Sequence, residues 1–253
     1  MALRLEHVKW DLPIGNGNGL NKEIIKDINL NFEDGRLIVV TGPNGGGKTT
    51  LAKLIAGVVT PTNGKIILTK GSSEQDITDI DVTERARSGI AYAFQQPVRF
   101  KGLTVRNLLE TAAGRPMSKN ELCELLGKVG LCAEEYVNRE MNTSLSGGES
   151  KRIEIATVLA RNAAISVFDE PEAGIDLWSF TKLVETFEEI RERRTGTLII
   201  ISHQERIISI ADDIVVIAAG AVRAAGARDD ILPTLLSDEK AVRCPINLKE
   251  AKY

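Results

Sequence analysis

The sequence predicts an α/β fold in which a sheet core carries a phosphate-binding loop, and three observations predict it. Strand-like and helix-like segments alternate along most of the 253 residues. A short β-branched run, Leu37-Ile38-Val39-Val40, leads into a glycine-rich loop and then into helical periodicity after Lys48. Such a run is what a strand buried on both faces of a parallel sheet looks like. A second strand of this type, Ala163 to Phe168, ends in two carboxylates, Asp169 and Glu170, at the strand end where open α/β sheets place ligands.

The remaining elements follow in order. Leu3 to Trp10 alternates with period two and reads as a strand; Gly15 to Gly19 spells a turn, and a second strand covers about Lys22 to Phe32. Asp34-Gly35 turns the chain into the buried run. From Glu84 to Arg139 the pattern is mainly helical, with apolar spacing at Val105, Leu108, Leu109 and Ala112 and again at Leu122, Leu125, Leu126 and Val129. This stretch predicts a helical subdomain inserted between strands. Glu149 to Arg161 and Phe180 to Arg194 read as helices, Thr197 to Ser202 as a strand, Glu205 to Asp212 as a helix, and Ile214 to Ala218 as a last strand before a hairpin at Gly220. The polar tail from Ala227 to Tyr253, with Pro233 and Pro245, predicts a short helix and a loosely held end.

Composition narrows the functions. With 43% hydrophobic and 26% charged residues, the chain has the make-up of an ordinary globular protein, which excludes disordered and collagenous classes. Lys plus Arg at 32 against Asp plus Glu at 35 leaves a net charge of -3, so no basic footprint predicts a nucleic-acid partner. The longest nearly apolar run, Ile214 to Val222, is far short of the roughly 20 residues that cross a bilayer, and no direct membrane insertion is expected. Met1 to Trp10 lacks the apolar stretch of a secretory signal, which predicts a cytoplasmic place of work. Three cysteines, Cys123, Cys132 and Cys244, and two histidines, His7 and His203, supply neither a disulfide framework nor a zinc or iron-sulfur ligand set. Cys244, before Pro245, reads as an inert tail thiol.

Gly42-Pro43-Asn44-Gly45-Gly46-Gly47-Lys48-Thr49 satisfies GxxxxGK[ST] between a strand and a helix, the context that gives the motif its meaning. Glycines let successive backbone N–H groups converge on phosphate oxygens, and the following helix adds its partial positive charge. Lys48 is placed to reach the β- and γ-phosphates of a nucleotide and Thr49 to bind Mg²⁺. Asp169 is the matching acid for the metal, and Glu170 the base for an attacking water.

Leu145-Ser146-Gly147-Gly148-Glu149, before a helix that starts near Ser150, is by itself a capping turn able to bind any anion. In order with the phosphate loop, the paired acids and a later histidine, it resembles the signature of the ATP-binding cassette (ABC) ATPases. The resemblance covers roughly Leu3 to Gly226. It implies one ABC ATPase nucleotide-binding domain with a mixed sheet, an antiparallel β subdomain and an inserted helical subdomain. The core would be residues 1–94 and 145–226, the helical subdomain 95–144 and the tail 227–253. It implies ATP and Mg²⁺ as cofactors, with Gly42, Asn44, Gly45, Gly47, Lys48, Thr49 and Thr50 around the phosphates. Gln95, after Ala91-Tyr92-Ala93-Phe94, resembles the glutamine that senses Mg²⁺ and the attacking water; Gln96 is the neighbouring alternative, since the register rests on Pro97. His203 resembles the histidine that contacts the γ-phosphate. Asp176, in Ala173-Gly174-Ile175-Asp176, resembles a loop that crosses a dimer interface, and Trp10 an aromatic that stacks on adenine. Two such domains would close head to tail around ATP, each nucleotide held by the phosphate loop of one copy and by Ser146, Gly147 and Gly148 of the other. An ATP-dependent homodimer is therefore expected.

Within this family, Thr83-Glu84-Arg85-Ala86-Arg87-Ser88-Gly89-Ile90, running into Ala93-Phe94-Gln95-Gln96-Pro97-Val98, is similar to SufC, the ATPase of the SUF iron-sulfur cluster assembly system. The likeness is nearest to the short form found beside a single SufB-like partner in archaea and anaerobes, which Gly147-Gly148-Glu149-Ser150-Lys151-Arg152-Ile153-Glu154 and Glu172-Ala173-Gly174-Ile175-Asp176, followed by Ser179-Phe180, also fit. The likeness implies a SufB/SufD-like scaffold as partner, docking near Gln95 to Val105. Asp169-Glu170-Pro171 and Leu103-Thr104-Val105 are shared with transporters, so the alternative is the ATP-binding subunit of an ABC membrane transporter. Only about a hundred residues separate Lys48 from Leu145, without sustained heptads, which excludes chromosome and repair ATPases with long coiled coils.

Overall fold

The chain begins with two long antiparallel strands, β1 (Ala2–Ile14) and β2 (Leu20–Phe32), and then enters the buried strand β3 (Leu37–Thr41). Helix α1 (Lys48–Ala56) follows the glycine loop; β4 (Asn63–Lys70), β5 (Ser73–Asp76), α2 (Val82–Arg87) and β6 (Ile90–Ala93) come next. Helices α3 (Val105–Ala113), α4 (Lys119–Gly127), α5 (Ala133–Tyr136) and α6 (Gly147–Arg161) precede β7 (Ile165–Asp169) and α7 (Leu177–Arg193). The order closes with β8 (Thr197–Ile201), α8 (Glu205–Ser209), β9 (Asp213–Ala218), β10 (Ala221–Ala227) and α9 (Arg228–Val242). The computed structural model describes residues 1–14, 20–96, 98, 100–142 and 144–242. The expected turn at Gly15 to Gly19, Pro97, Arg99, Cys244 and Pro245 lie outside the described residues.

Two sheets result. One has the order β10-β9-β3-β8-β7-β6, and the other, antiparallel, β2-β1-β4-β5. In the first, β9, β3, β8, β7 and β6 run parallel and β10 closes the edge antiparallel. Side-chain alternation splits the core along this sheet. Leu37, Val39, Phe168, Leu198 and Ile200 face the helices α3 to α7, while Ile38, Val40, Val167, Ile199 and Ile201 face α1 and the antiparallel sheet. With both faces covered, these strands read as continuous apolar runs, the property that made them legible.

The register decides where the chemistry goes. Val40 pairs with Ile201 on one side and Val215 on the other, Asp169 pairs with Ile201, and Ala93 with Phe168. The carboxyl ends of β3, β8, β7 and β6 therefore share one edge.

Two expectations need correction. The stretch read as mainly helical from Glu84 to Arg139 contains β6, a four-residue buried strand too short to show a period. Strands β4 and β5 were not anticipated; β5, Ser73–Asp76, is exposed at every position and owes its form to pairing with β4. The tail helix α9 runs to Val242 and contains Pro233.

Candidate functional site

Gly42 turns the chain out of β3 at φ 128°, where a Cβ would lie 2.1 Å from the Ile217 carbonyl oxygen on β9. No side chain fits there, and the loop is thereby pressed against β9. Gly47, at φ 106°, is the N-cap of α1 and supplies no side-chain cap, so the first-turn N–H groups are left for a ligand. Lys48 turns back into the loop: its Nζ donates to the Gly42 carbonyl at 2.7 Å and the Pro43 carbonyl at 3.0 Å. Burial lowers its pKa, opposed by the charges of Glu170 and Asp169.

Asp169 ends β7 fully buried. Its Oδ1 accepts from the Thr49 hydroxyl at 3.2 Å and its Oδ2 from the Tyr92 hydroxyl at 3.2 Å. Burial raises the Asp169 pKa, the two hydroxyls pulling it back; burial also pushes Tyr92 up. A hydroxyl and a carboxylate together are hard oxygen donors, the set that suits Mg²⁺, and Thr49 and Asp169 fit that ion.

Glu170 is held at φ 46°, a left-handed conformation uncommon for a non-glycine residue, with its N–H donating to Ile201 at 3.0 Å. Its Oε2 accepts from the Gln95 Nε2 at 2.9 Å, so it is Gln95 whose amide meets Glu170. His203, beyond β8, lies 3.5 Å from the Thr41 hydroxyl through Nδ1. Although it is exposed at the rim, partial desolvation and then the Lys48 charge lower its pKa, with Glu170 opposing; near pH 7 the neutral ring is favoured.

Of these groups, Gly47, Lys48, Thr49, Gln95 and Glu170 line a cleft of about 520 Å³ together with Asn44 to Gly46 and Thr50, and with Lys22 and Ile24 contributed by β2; Gly42, Asp169 and His203 are not in that lining. Trp10 is not in that lining; it lies half-buried on β1 against the core. Nor are the signature residues. Ser146 caps α6 in a reciprocal capping box with Glu149, whose pKa the Tyr136 hydroxyl and Ser146 hold down at about 2. Asp176 caps α7 through Ser179. A Cβ on Gly148 would fall 2.4 Å from the Gly174 carbonyl, so the Ala173 to Asp176 loop leans on the signature turn.

Residues 25–173 match the family model described as ABC transporter. The chain belongs to this family of ATP-binding cassettes. Across 234 residues it is 37% identical to an uncharacterised ABC transporter ATP-binding protein of Methanocaldococcus jannaschii, covering 89% of each chain. It is 32% identical over 214 residues to LptB, the ATP-binding protein of the lipopolysaccharide export system of Acidithiobacillus ferridurans, covering 83% of this chain and 86% of that one. A solved dimeric cassette in a post-hydrolysis state with ADP and Pi shares the fold, with a TM-score of 0.78 at 24% identity over 89% of this chain and 98% of that one. The cassette is thus an ATPase with the ABC nucleotide-binding fold. No helix among its described residues is long and apolar enough to cross a membrane.

Four groups at the site escaped the sequence reading. Lys22 and Tyr92 sit on strands, and Lys151 and Glu154, named above only within the segment Gly147 to Glu154, lie on α6. Only the fold brings the last two to the strand ends.

Proposed function

We propose that this cassette hydrolyses ATP between two copies arranged head to tail and that their closure drives a conformational change in a separate partner chain. The observation that carries the reading is the shared strand edge, which gathers Lys48, Thr49, Gln95 and Glu170 around one cleft, with Asp169 hydrogen-bonded to Thr49 and His203 to Thr41, while Ser146 to Gly148 lie outside the lining.

The loop amides and Lys48 hold the polyphosphate and offset its charge. Thr49 and Asp169 hold Mg²⁺, which supplies charge neutralisation at the phosphates. Glu170, oriented by Gln95, takes a proton from the attacking water; the water oxygen bonds to the γ-phosphorus, the bond to the β–γ bridging oxygen breaks, and ADP leaves. Neutral His203 donates its ring N–H to a γ-phosphate oxygen. Ser146, Gly147 and Gly148 of the second copy complete the anion site, with Asp176 near the contact. Most of the rate gain in such a site is positioning and electrostatics.

For the partner, the segments from Thr83 to Val98 and from Gly147 to Glu154 support a SufB/SufD-like scaffold in iron-sulfur cluster assembly, which is our reading. Val98, Phe100 and Leu103 are exposed large apolar side chains in the segment assigned to docking, as a protein-binding surface requires. The second reading, a membrane permease, is favoured by the names of transport-system relatives such as LptB and by Asp169-Glu170-Pro171. Anaerobic affinity purification of the tagged native protein, with mass spectrometry of soluble and detergent-extracted fractions, separates them. A soluble SufB-like protein bound with iron and sulfide is expected; a polytopic membrane protein overturns that reading and establishes the transporter.

A further inference from the structure

Lys151 and Glu154 lie one turn apart on α6, 1% and 12% exposed, with charged atoms 3.9 Å apart. The lysine spends all its donors on backbone: Nζ donates to the carbonyls of Phe94, of Gln95 at 3.3 Å and of Asp169 at 3.2 Å. An ammonium has three donors, and each has a carbonyl. Glu154 Oε1 accepts the Phe94 N–H at 2.9 Å. Phe94 is therefore gripped on both sides, its N–H by the glutamate and its C=O by the lysine. The residue after it is Gln95, whose amide meets Glu170, and the residue before Glu170 is Asp169, held by the same ammonium.

A buried ion pair is a poor way to add stability, because apolar side chains of similar size do as well or better. This pair touches the backbone at two strand ends, β6 and β7, where the groups that meet across the cleft are one residue further on. It also stands on the helix whose first turn is Ser146-Gly147-Gly148.

We propose that Lys151 and Glu154 are positioning residues that lock Gln95 against Glu170 from the signature helix, so that ATP hydrolysis depends on them and ATP binding does not. The inference rests on the reading of Gln95 and Glu170 as the hydrolytic pair. Among the described residues, neither Lys151 nor Glu154 hydrogen-bonds to any residue from Gly42 to Thr49, which is why binding and turnover separate.

Full-length variants test it, each measured for kcat, ATP affinity and Tm. Lys151→Met alone strands a buried carboxylate, so the informative variant is the neutral pair Lys151→Met with Glu154→Gln. It is expected to lose at least tenfold in kcat while ATP affinity stays within threefold. Glu154→Gln alone keeps an acceptor for the Phe94 N–H and should hold kcat within threefold; Glu154→Leu removes it and should lose at least tenfold. The Gln–Leu contrast stays readable if the neutral pair fails to fold. Gln95→Ala is the control on the underlying reading: if its kcat is unchanged, that reading fails and this inference falls with it. If Gln95→Ala loses tenfold while the neutral pair and Glu154→Leu keep their kcat, the clamp alone is refuted. Parallel loss of kcat, ATP affinity and Tm makes the pair purely structural and likewise overturns it.

Discussion

Burial pushes the Glu154 carboxyl up to about 7 from an ordinary 4.5, with Lys151 and the Phe94 N–H working against the shift. A raised acid pKa means that the folded chain keeps a proton the unfolded chain has already lost. Its stability contribution is full below the unfolded value and is lost as pH rises through the folded one. Glutamine does not titrate, so Glu154→Gln should gain on the parent by about 2 kcal/mol between pH 5 and pH 8. Denaturant melts of both proteins at the two pH values measure this; a constant gap would show that the carboxyl is not desolvated. Lys48 gives a binding test at the same scale. Replacing its buried ammonium by Lys48→Met removes charge-assisted donors to phosphate and should weaken ATP binding about ten- to a hundredfold. Calorimetric titration with ATP checks it, and unaltered affinity would mean that the loop does not hold the phosphates.

At the level of elements, the phosphate loop owes its shape to its contact with β9. Gly42 has both a left-handed φ and no room for a Cβ, whereas Gly45, at φ 74°, has nothing within 4 Å. Gly42→Ala should therefore cost a few kcal/mol and several degrees in Tm, and Gly45→Ala only about 1 kcal/mol for its backbone strain. Equal melting shifts for the two would show that the loop moves off β9 at little cost. The same geometry explains what the sequence revealed. β3, β7 and β8 were readable because burial on both faces forces unbroken apolar runs, and the loop because its glycines sit between a strand and a helix. β6 was hidden inside a helical stretch by its four residues, and β5 carries no apolar residue at all. The clamp was invisible for another reason. Lys151 and Glu154 have the spacing of a solvated helix pair, and nothing local says that their partners are strand ends distant in the chain. Trp10 shows the converse: its strand was read correctly, but a strand position alone does not say whether an aromatic meets a ligand or the core.

At the scale of the whole molecule, the distribution of motifs makes a prediction about assembly. Lys48 lines the cleft and Ser146 does not, although both are assigned to the same nucleotide. If two copies complete each other's sites, a Lys48→Met chain still offers a good Ser146, and a Ser146→Arg chain still offers a good Lys48. Each variant alone should be nearly inactive, since every site in its homodimer carries a defect. In a mixed dimer one of the two sites draws Lys48 from one copy and Ser146 from the other and is intact; the second carries both defects. With equal amounts and random pairing, half the dimers are mixed and half their sites are whole, so about a quarter of the parent ATPase activity should return on mixing. Glu170→Gln adds a physical readout: by removing the base while leaving the cradle, it should accumulate the closed dimer with ATP, visible as a doubled mass by light scattering. No recovery on mixing the two folded variants in excess ATP, together with a monomeric Glu170→Gln chain in ATP, would place the complete site within one copy and refute the head-to-tail arrangement.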